Sequence, residues 1–414
     1  MERYYLGLDW ADEAHAVWVV NERGEKVWAG KVAQTTEGLA EFGCRLHEWG
    51  GAEITIWAAL EKPEGRIVDF LLDHGVVVYP VNPKAVDRAR DRFRVSGSKS
   101  DPFDAHVLAD FLRTDHGHLR PLVPNSAQAQ ELKLLTTDYE RLVQQQTCLL
   151  NQLTTTLKEY YPRILEMFSD INTPTALDFL ERYPAPQALA ELTPEAWQDF
   201  VREHRLHKGP AAELWKRAKA LQLAIPGHVV RAKVRLVRVL TAGLRIVRTA
   251  VADYHTEIER FFASMPAAEI ARSLPAGKSG VVIPMIWAEI GDVPCRWESF
   301  RHLQAQAGAV PVTKRSGKCN LVHFRFACNK RLRHALDLLA FASLRHSAWA
   351  MGYYRQQRVR GHSHHQSLRA LAAKWLKIIF VLWSRHVLYS EEHHLANINR
   401  QHKYQPTPMP VEVV

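Results

Sequence analysis

The spacing of apolar residues changes character along the chain, and each change predicts a different architecture. Over residues 4–9, 15–20 and 25–30, apolar residues alternate with polar ones or form short runs. With the turn Asn21-Glu22-Arg23-Gly24, this predicts a three-strand antiparallel meander. Residues 37–49 follow helical spacing. Residues 53–60 are almost continuously apolar, as in a buried central strand, and Glu61 follows directly. A second helix is expected over 63–74, a further strand over 76–79 and a basic helix over 83–94.

From Ala127 the period lengthens. Leu132, Leu135, Tyr139, Leu142, Leu149, Leu153, Leu157 and Tyr160 recur at three- and four-residue steps, a heptad seam interrupted by Gln146, which predicts one long helix. A cleaner seam sets Val230, Val237, Leu244, Val251 and Ile258 seven apart, with Leu240, Val247, Tyr254 and Phe261 at the companion positions. The two long helices could pair within the chain or with another copy. Residues 172–210 between them are rich in proline and turn formers and predict short helices.

The last third is expected to be mainly helical. An apolar helix over 281–290 follows the turn Leu274-Pro275-Ala276-Gly277-Lys278-Ser279-Gly280, whose backbone amides could hold a phosphate. Residues 308–318 read as a basic loop, and Asn329-Lys330-Arg331-Leu332-Arg333 opens an apolar helix over 335–349. Its cationic start opposes the helix dipole, an imbalance that bound phosphate would correct. Arg355 to Arg360 with His362, His364 and His365 read as a polar basic loop, solvated or facing nucleic acid. A last helix is expected over 368–388, with disorder after Gln405. The expected regions are 1–125, 126–265 and 266–405, with a tail at 406–414.

Composition narrows the function. The chain has 414 residues, with 54 Lys and Arg against 44 Asp and Glu, a net charge of +10. Residues 312–414 carry 17 Lys and Arg against 4 Asp and Glu, so the excess is concentrated there. Such a distribution suits a polyanionic partner, although a basic surface can also serve solubility alone. The seam helix adds Arg231, Lys233, Arg235, Arg238, Arg245 and Arg248, which suit a phosphate backbone or a solvated face equally. No run is long and apolar enough to span a bilayer and the N-terminus lacks a signal-peptide pattern, so a cytoplasmic location is expected. The five cysteines are scattered without a CxxC pair, which argues against a disulfide framework and a structural zinc site.

Candidate chemistry begins at Lys99-Ser100-Asp101-Pro102-Phe103-Asp104. Asp101 is expected as a helix N-cap, Pro102 at the first helical position and Asp104 on the same face. Asp9 and Glu61 are expected where two strands end. Each acid alone could be a cap or a polar loop start. Together in one cleft, Asp9, Glu61, Asp101 and Asp104 would repel unless cations neutralised them, and magnesium or manganese would be the natural occupant. The order of elements is that of a ribonuclease-H-like, or RuvC-like, mixed α/β sheet. The second candidate is Ser316, set among Lys314, Arg315, Gly317 and Lys318. A serine there could be a nucleophile or could simply bond to phosphate.

With these residues laid out, the chain resembles the DEDD transposases of bacterial insertion sequences, the bridge-RNA-guided serine recombinases. The resemblance rests on Leu8-Asp9, Leu60-Glu61 and residues 99–105 at one end. At the other end it rests on Leu274-Pro275-Ala276-Gly277, Ala288-Glu289-Ile290-Gly291-Asp292, Gly308-Ala309-Val310-Pro311, Arg315-Ser316-Gly317-Lys318 and residues 329–333. It implies that Asp9, Glu61, Asp101 and Asp104 bind Mg2+ or Mn2+ in a RuvC-like domain. Ser316 is implied as the nucleophile that holds a DNA end as a phosphoserine ester. Lys99, Lys278, Lys314, Arg315, Lys318, Asn329, Lys330, Arg331 and Arg333 would contact nucleic acid. It further implies a guide (bridge) RNA, donor and target double-stranded DNA, and association with the nucleoid when active. A homo-oligomer is implied as well, dimers assembling to a tetramer in which one copy's acids work with another copy's serine. Two other functions fit the residues alone: a metal-dependent RuvC-like nuclease or junction resolvase with no covalent intermediate, and a non-catalytic nucleic-acid scaffold.

Overall fold

A computed structural model describes residues 2–51, 54–93, 100–220, 224–275, 280–317 and 319–400. The chain divides into two compact units, Met1–Pro124 and Asn125–Val414.

The first unit is built on a five-stranded mixed sheet. Its strands are β1 (Glu2–Asp9), β2 (Ala14–Val20), β3 (Lys26–Ala33), β4 (Ile54–Leu60) and β5 (Val77–Pro80), in the order β3-β2-β1-β4-β5. β1, β2 and β3 form the expected antiparallel meander, while β4 and β5 run parallel to β1. β1 holds the middle of the sheet, with β4 beside it. The helices are α1 (Thr36–Trp49), α2 (Arg66–Asp73), α3 (Pro83–Arg90) and α4 (Asp101–Asp115).

Strand periodicity sorts the core onto two faces. Leu6, Leu8, Val17, Val19, Ala58 and Leu60 point to the side packed by Leu39, Phe42 and Leu46 of α1 and Ile67, Val68 and Leu71 of α2. Tyr5, Ala59 and Tyr79 point to the other side, where Val86 of α3 and Val107, Leu108 and Leu112 of α4 meet them. Covering both faces explains why residues 53–60 read as one apolar run.

Among the described residues the regular elements of the second unit are helices and one hairpin. Its helices are α5 (Ala127–Tyr160), α6 (Arg163–Met167), α7 (Pro174–Arg182), α8 (Pro186–Ala190), α9 (Pro194–Glu203), α10 (Lys208–Ala218) and α11 (Gly227–Ala263). They continue with α12 (Ala267–Ser273), α13 (Val282–Ile290), α14 (Phe300–Gln306), α15 (Lys330–Ser343), α16 (Ala348–Val359), α17 (His364–Arg385) and α18 (Glu391–Arg400). The strands β6 (Val312–Ser316) and β7 (Cys319–His323) lie between α14 and α15.

Both heptad seams are helices, and they pair within the chain. Tyr139 faces His255, Leu149 lies beside Gly243 and Glu159 bonds Lys233, contacts that run in opposite order along the two helices, so α5 and α11 are antiparallel. At the far end, Leu153, Leu157, Val230, Val237 and Leu240 share a core with the short helices α6 to α10. At the near end, Leu132, Ile258 and Phe262 join α12, α13, α15 and α17 around Trp287 and Trp375. Among the described residues no helix is long and apolar enough to cross a membrane.

Four expectations need correction. Asp101 is not the cap of α4: Ser100 stands there in extended conformation and its carbonyl accepts the Asp104 N–H at 2.9 Å, so Asp101 is already helical. Residues 312–323 form a hairpin, not a basic loop, because Gly317 supplies a turn between two short strands. The helix expected at 335–349 begins earlier and breaks, giving α15 and α16, because Asn329 caps the former and Ser347 the latter. Residues 355–359 are the end of α16, and His364 and His365 open α17 under a Ser363–Gln366 capping box. Lys99, Lys278, Lys318 and the tail after Gln405 lie outside the described residues.

Candidate active-site elements

The sheet of the first unit brings two acids together by register. Leu8 pairs with Leu60 across the parallel β1–β4 ladder, so Asp9 and Glu61 emerge from neighbouring strands at the same end. The residues after them also meet: the Lys62 ammonium lies 3.9 Å from the Trp10 ring centre. Behind them His15 is fully buried, and its Nδ1 accepts the Ala11 N–H at 3.2 Å. Burial lowers its pKa, with a smaller opposing pull from Gln34, which favours the neutral ring that can accept.

Helix α4 adds two acids at that end. A Cβ on Gly7 would lie 1.9 Å from the Ala105 carbonyl oxygen and 2.5 Å from the Ala109 nitrogen, so only glycine lets the helix backbone rest on β1. Tyr5, earlier on the strand, faces His116 beyond the helix's far end, at 6.1 Å. α4 therefore runs opposite to β1, and its first turn, with Asp101 and Asp104, lies toward the end where Asp9 and Glu61 emerge.

The two helix acids differ in environment. Asp101 is exposed, whereas Asp104 is buried and held by Arg90 of α3, with Nε at 2.9 Å and the second guanidinium contact at 2.8 Å. Burial opposes the Arg90 charge, but its bonds to Asp87 and Asp104 outweigh this and raise its pKa above the ordinary guanidinium value. Sequence reading placed Arg90 on a basic helix without linking it to Asp104, because nothing in a spacing of fourteen residues across two helices announces the contact.

Carboxylates are hard oxygen donors, and by type and by their common end of the sheet these four suit a magnesium-like ion. As they stand, no group of three or more His, Cys, Asp or Glu among the described residues converges closely enough to hold a metal.

In the second unit Ser316 ends β6 and pairs with Cys319 of β7. Gly317 has φ +55°, the left-handed conformation that a two-residue hairpin turn requires. Ser316, Lys314 and Arg315 are exposed, so the hydroxyl is presented at a ribbon tip among cations.

The ribbon is anchored at its base. Arg325 Nε donates to the Val310 carbonyl at 3.3 Å and the Asn329 N–H to the Gln306 carbonyl at 2.7 Å. Phe324 contacts two guanidiniums, Arg333 at 5.0 Å and Arg369 at 4.4 Å from its ring centre. Behind this pair Asp337 is largely buried. Its desolvation raises its pKa despite the opposing charges of Arg369, Arg333, His334 and His365.

The residues predicted to bind nucleic acid separate by environment. Lys314, Arg315 and Lys330 are exposed. Asn329 caps α15 and donates to Glu289 Oε2 at 2.6 Å, while Arg331 contacts Glu289 Oε1 at 2.6 Å, Thr137 and Glu140. Asn329 and Arg331 thus knit α13, α15 and, through Arg331, α5, a role that sequence alone did not separate from phosphate binding. On α11, Arg245 pairs with Asp178 and Glu181 and Lys233 with Glu159, whereas Arg231, Arg235, Arg238 and Arg248 are exposed.

Comparison with known proteins identifies the class. Residues 6–162 match a transposase family model, the DEDD transposases of IS110 type, and residues 268–355 match the transposase IS116/IS110/IS902 family. The mini-circle putative transposase for IS117 of Streptomyces coelicolor is 32% identical over 389 residues, covering 90% of this chain and 92% of that protein. An uncharacterized 42 kDa protein of insertion element IS900 from Mycobacterium paratuberculosis is 27% identical, covering 93% and 96%. A putative transposase, y4uE, of Sinorhizobium fredii is 33% identical over 49% of the chain and 57% of its own length. The chain belongs to the IS110 family of insertion-sequence transposases, enzymes that move DNA.

Proposed function

We propose that this transposase cuts and exchanges DNA strands through a covalent phosphoserine intermediate on Ser316, assisted by a metal site of Asp9, Glu61, Asp101 and Asp104 in a RuvC-like domain. The observation that carries the reading is the exposure of Ser316 at a hairpin tip between cations. The placement of two strand ends and one helix start toward the same end of the sheet supports it.

In the first step the Ser316 oxygen attacks a phosphodiester phosphorus. A new P–O bond to serine forms as the bond to one deoxyribose oxygen breaks. The serine proton passes to a base, for which the carboxylates are the candidates, and the departing oxygen takes up a proton. Lys314 and Arg315 beside the nucleophile offset charge on the nonbridging oxygens. One phosphodiester is exchanged for one phosphoserine ester, so rejoining to a new strand needs no external energy source. A bound magnesium or manganese ion would supply Lewis-acid stabilisation of the attacked phosphate, held by the four carboxylates. For that, Asp104 would have to leave Arg90 or share its second oxygen.

An RNA that pairs with donor and target DNA, and assembly into a multimer, complete the reading by resemblance to the family. The exposed cations of the hairpin and α11 are surfaces such nucleic acids would use.

The test is a denaturing gel of the protein with nicked DNA substrate, magnesium and copurifying RNA. Wild type should carry DNA covalently. Ser316→Ala and Asp101→Asn should each abolish recombination, and Ser316→Ala the adduct, while RNA binding stays. An adduct that persists in Ser316→Ala removes the serine from this role. Free ends with no adduct in wild type would favour a metal-only nuclease.

A further inference from the structure

The segment that follows the hairpin carries an aromatic side chain that the reaction above does not use. Phe326 is 77% exposed, and Leu321 and Val322, a few residues earlier on β7, are 50% and 63% exposed. Leaving a phenylalanine in water forgoes about 2 kcal/mol of burial. A large apolar side chain left this exposed can mark a surface that something covers.

Phe326 is also held in place. Its ring meets that of Phe324 edge-on at 4.8 Å, and Phe324 is the ring gripped by Arg333 and Arg369. The presented ring therefore starts from a braced position and would lose less freedom on binding than a loose side chain.

The charge around it selects the occupant. From Ser299 to Leu336 the chain has no Asp or Glu and eight Lys and Arg. An apolar partner protein would gain nothing from those cations. Nucleic acid satisfies both features, since its phosphates pair with the cations and its bases offer apolar faces to a ring.

We propose that Phe326 stacks on a DNA base unstacked next to the strand-exchange point, acting as a wedge while the hairpin holds the phosphate. This rests on the reading that the hairpin contacts DNA. Lys314 and Arg315 on the hairpin supply the phosphate contacts. Phe326 is a positioning residue: it makes no bond to the reacting phosphorus and acts by opening the duplex beside it.

The full-length protein with its copurifying RNA tests this on DNA duplexes carrying 2-aminopurine at successive positions around the cleavage site. Wild type should change the fluorescence at one position, and Phe326→Ala should abolish that change and weaken binding about tenfold, the loss of one base stack. Phe326→Trp should restore both and Phe326→Leu should not, which separates stacking from simple apolar burial. The Lys314→Ala, Arg315→Ala pair should weaken DNA binding whatever Phe326 does.

If that pair weakens binding while Phe326→Ala leaves fluorescence and affinity unchanged, the wedge is wrong and the hairpin's contact with DNA stands. If neither affects DNA, both readings fall. Loss of self-association in Phe326→Ala, seen by light scattering with DNA binding intact, would assign the patch to a protein interface and overturn the proposal.

Discussion

The acidic end of the first unit and the hairpin of the second place charged groups in opposite ways. Asp104 sits on a helix pressed against the sheet, its carboxylate buried and answered by Arg90. Ser316 and its cations Lys314 and Arg315 stand in solvent on a two-stranded ribbon, held at its base by Phe324, Arg325 and Asn329. Of the four acids only Asp104 is tied into the core; Glu61 and Asp101 are exposed at the same end of the sheet. A nucleophile that must reach a duplex needs exposure. Damage to the packing that seats α4 and Asp104 should therefore cost folding, and damage at the ribbon tip should cost function alone.

The sharpest way to break this contrast is at Gly7. Gly7→Ala places a methyl group 1.9 Å from a backbone oxygen, and the helix must shift. A loss of about 3 kcal/mol is expected, read as a lower first transition in thermal unfolding and reduced soluble yield. An unchanged melting curve would mean that α4 is not seated on β1 as described.

Next comes Arg90→Met, which strands a buried carboxylate. Destabilisation of about 2 kcal/mol is expected by urea titration, with Arg90→Lys intermediate because it lacks the forked donor. If the two variants match wild type, the Arg90–Asp104 pair is not structural.

A smaller effect is expected behind the hairpin. The folded-state pKa of Asp337 is raised, so the folded protein binds that proton more tightly than the unfolded chain does. Stability from this group is present below the ordinary carboxylate value and lost as pH rises through the folded one. Asp337→Asn should thus melt slightly higher than wild type near pH 7. The gap should close as pH falls below about 4. A variant that melts lower at pH 7 would show instead that the charge is needed to hold Arg333 and Arg369.

The mildest expectation concerns the tip. Lys314→Ala with Arg315→Ala should leave the melting temperature within about 1 °C, since exposed single charges contribute little. The dependence of DNA affinity on salt should nevertheless flatten by about two phosphate contacts.

The same contrast explains what was legible in the sequence. The strands of the first unit announced themselves because Leu6, Leu8, Val17 and Val19 alternate with residues facing the other side, and both long helices because their seams repeat every seven residues. Asp9 and Glu61 could be placed together because strand ends are readable. Arg90 could not be paired with Asp104, because that contact is made by packing of two helices. The hairpin escapes sequence reading for a different reason: its strands are five residues each, β6 carries two cations, and their described residues are mostly exposed, so no core-facing side gives a period. Asn329 and Arg331 read as phosphate ligands in sequence because the partner of both, Glu289, lies forty or more positions away.

The antiparallel course of α5 and α11 means that the polypeptide leaves the body near Leu132 and comes back to it near Ile258, within one shared core. Everything between is an out-and-back excursion tipped by a small helical knob. Removing one heptad from each of its two limbs would shorten its reach by about 10 Å while leaving the departure and return points in register, so the arm serves as a spacer whose length can change without redesign of either end.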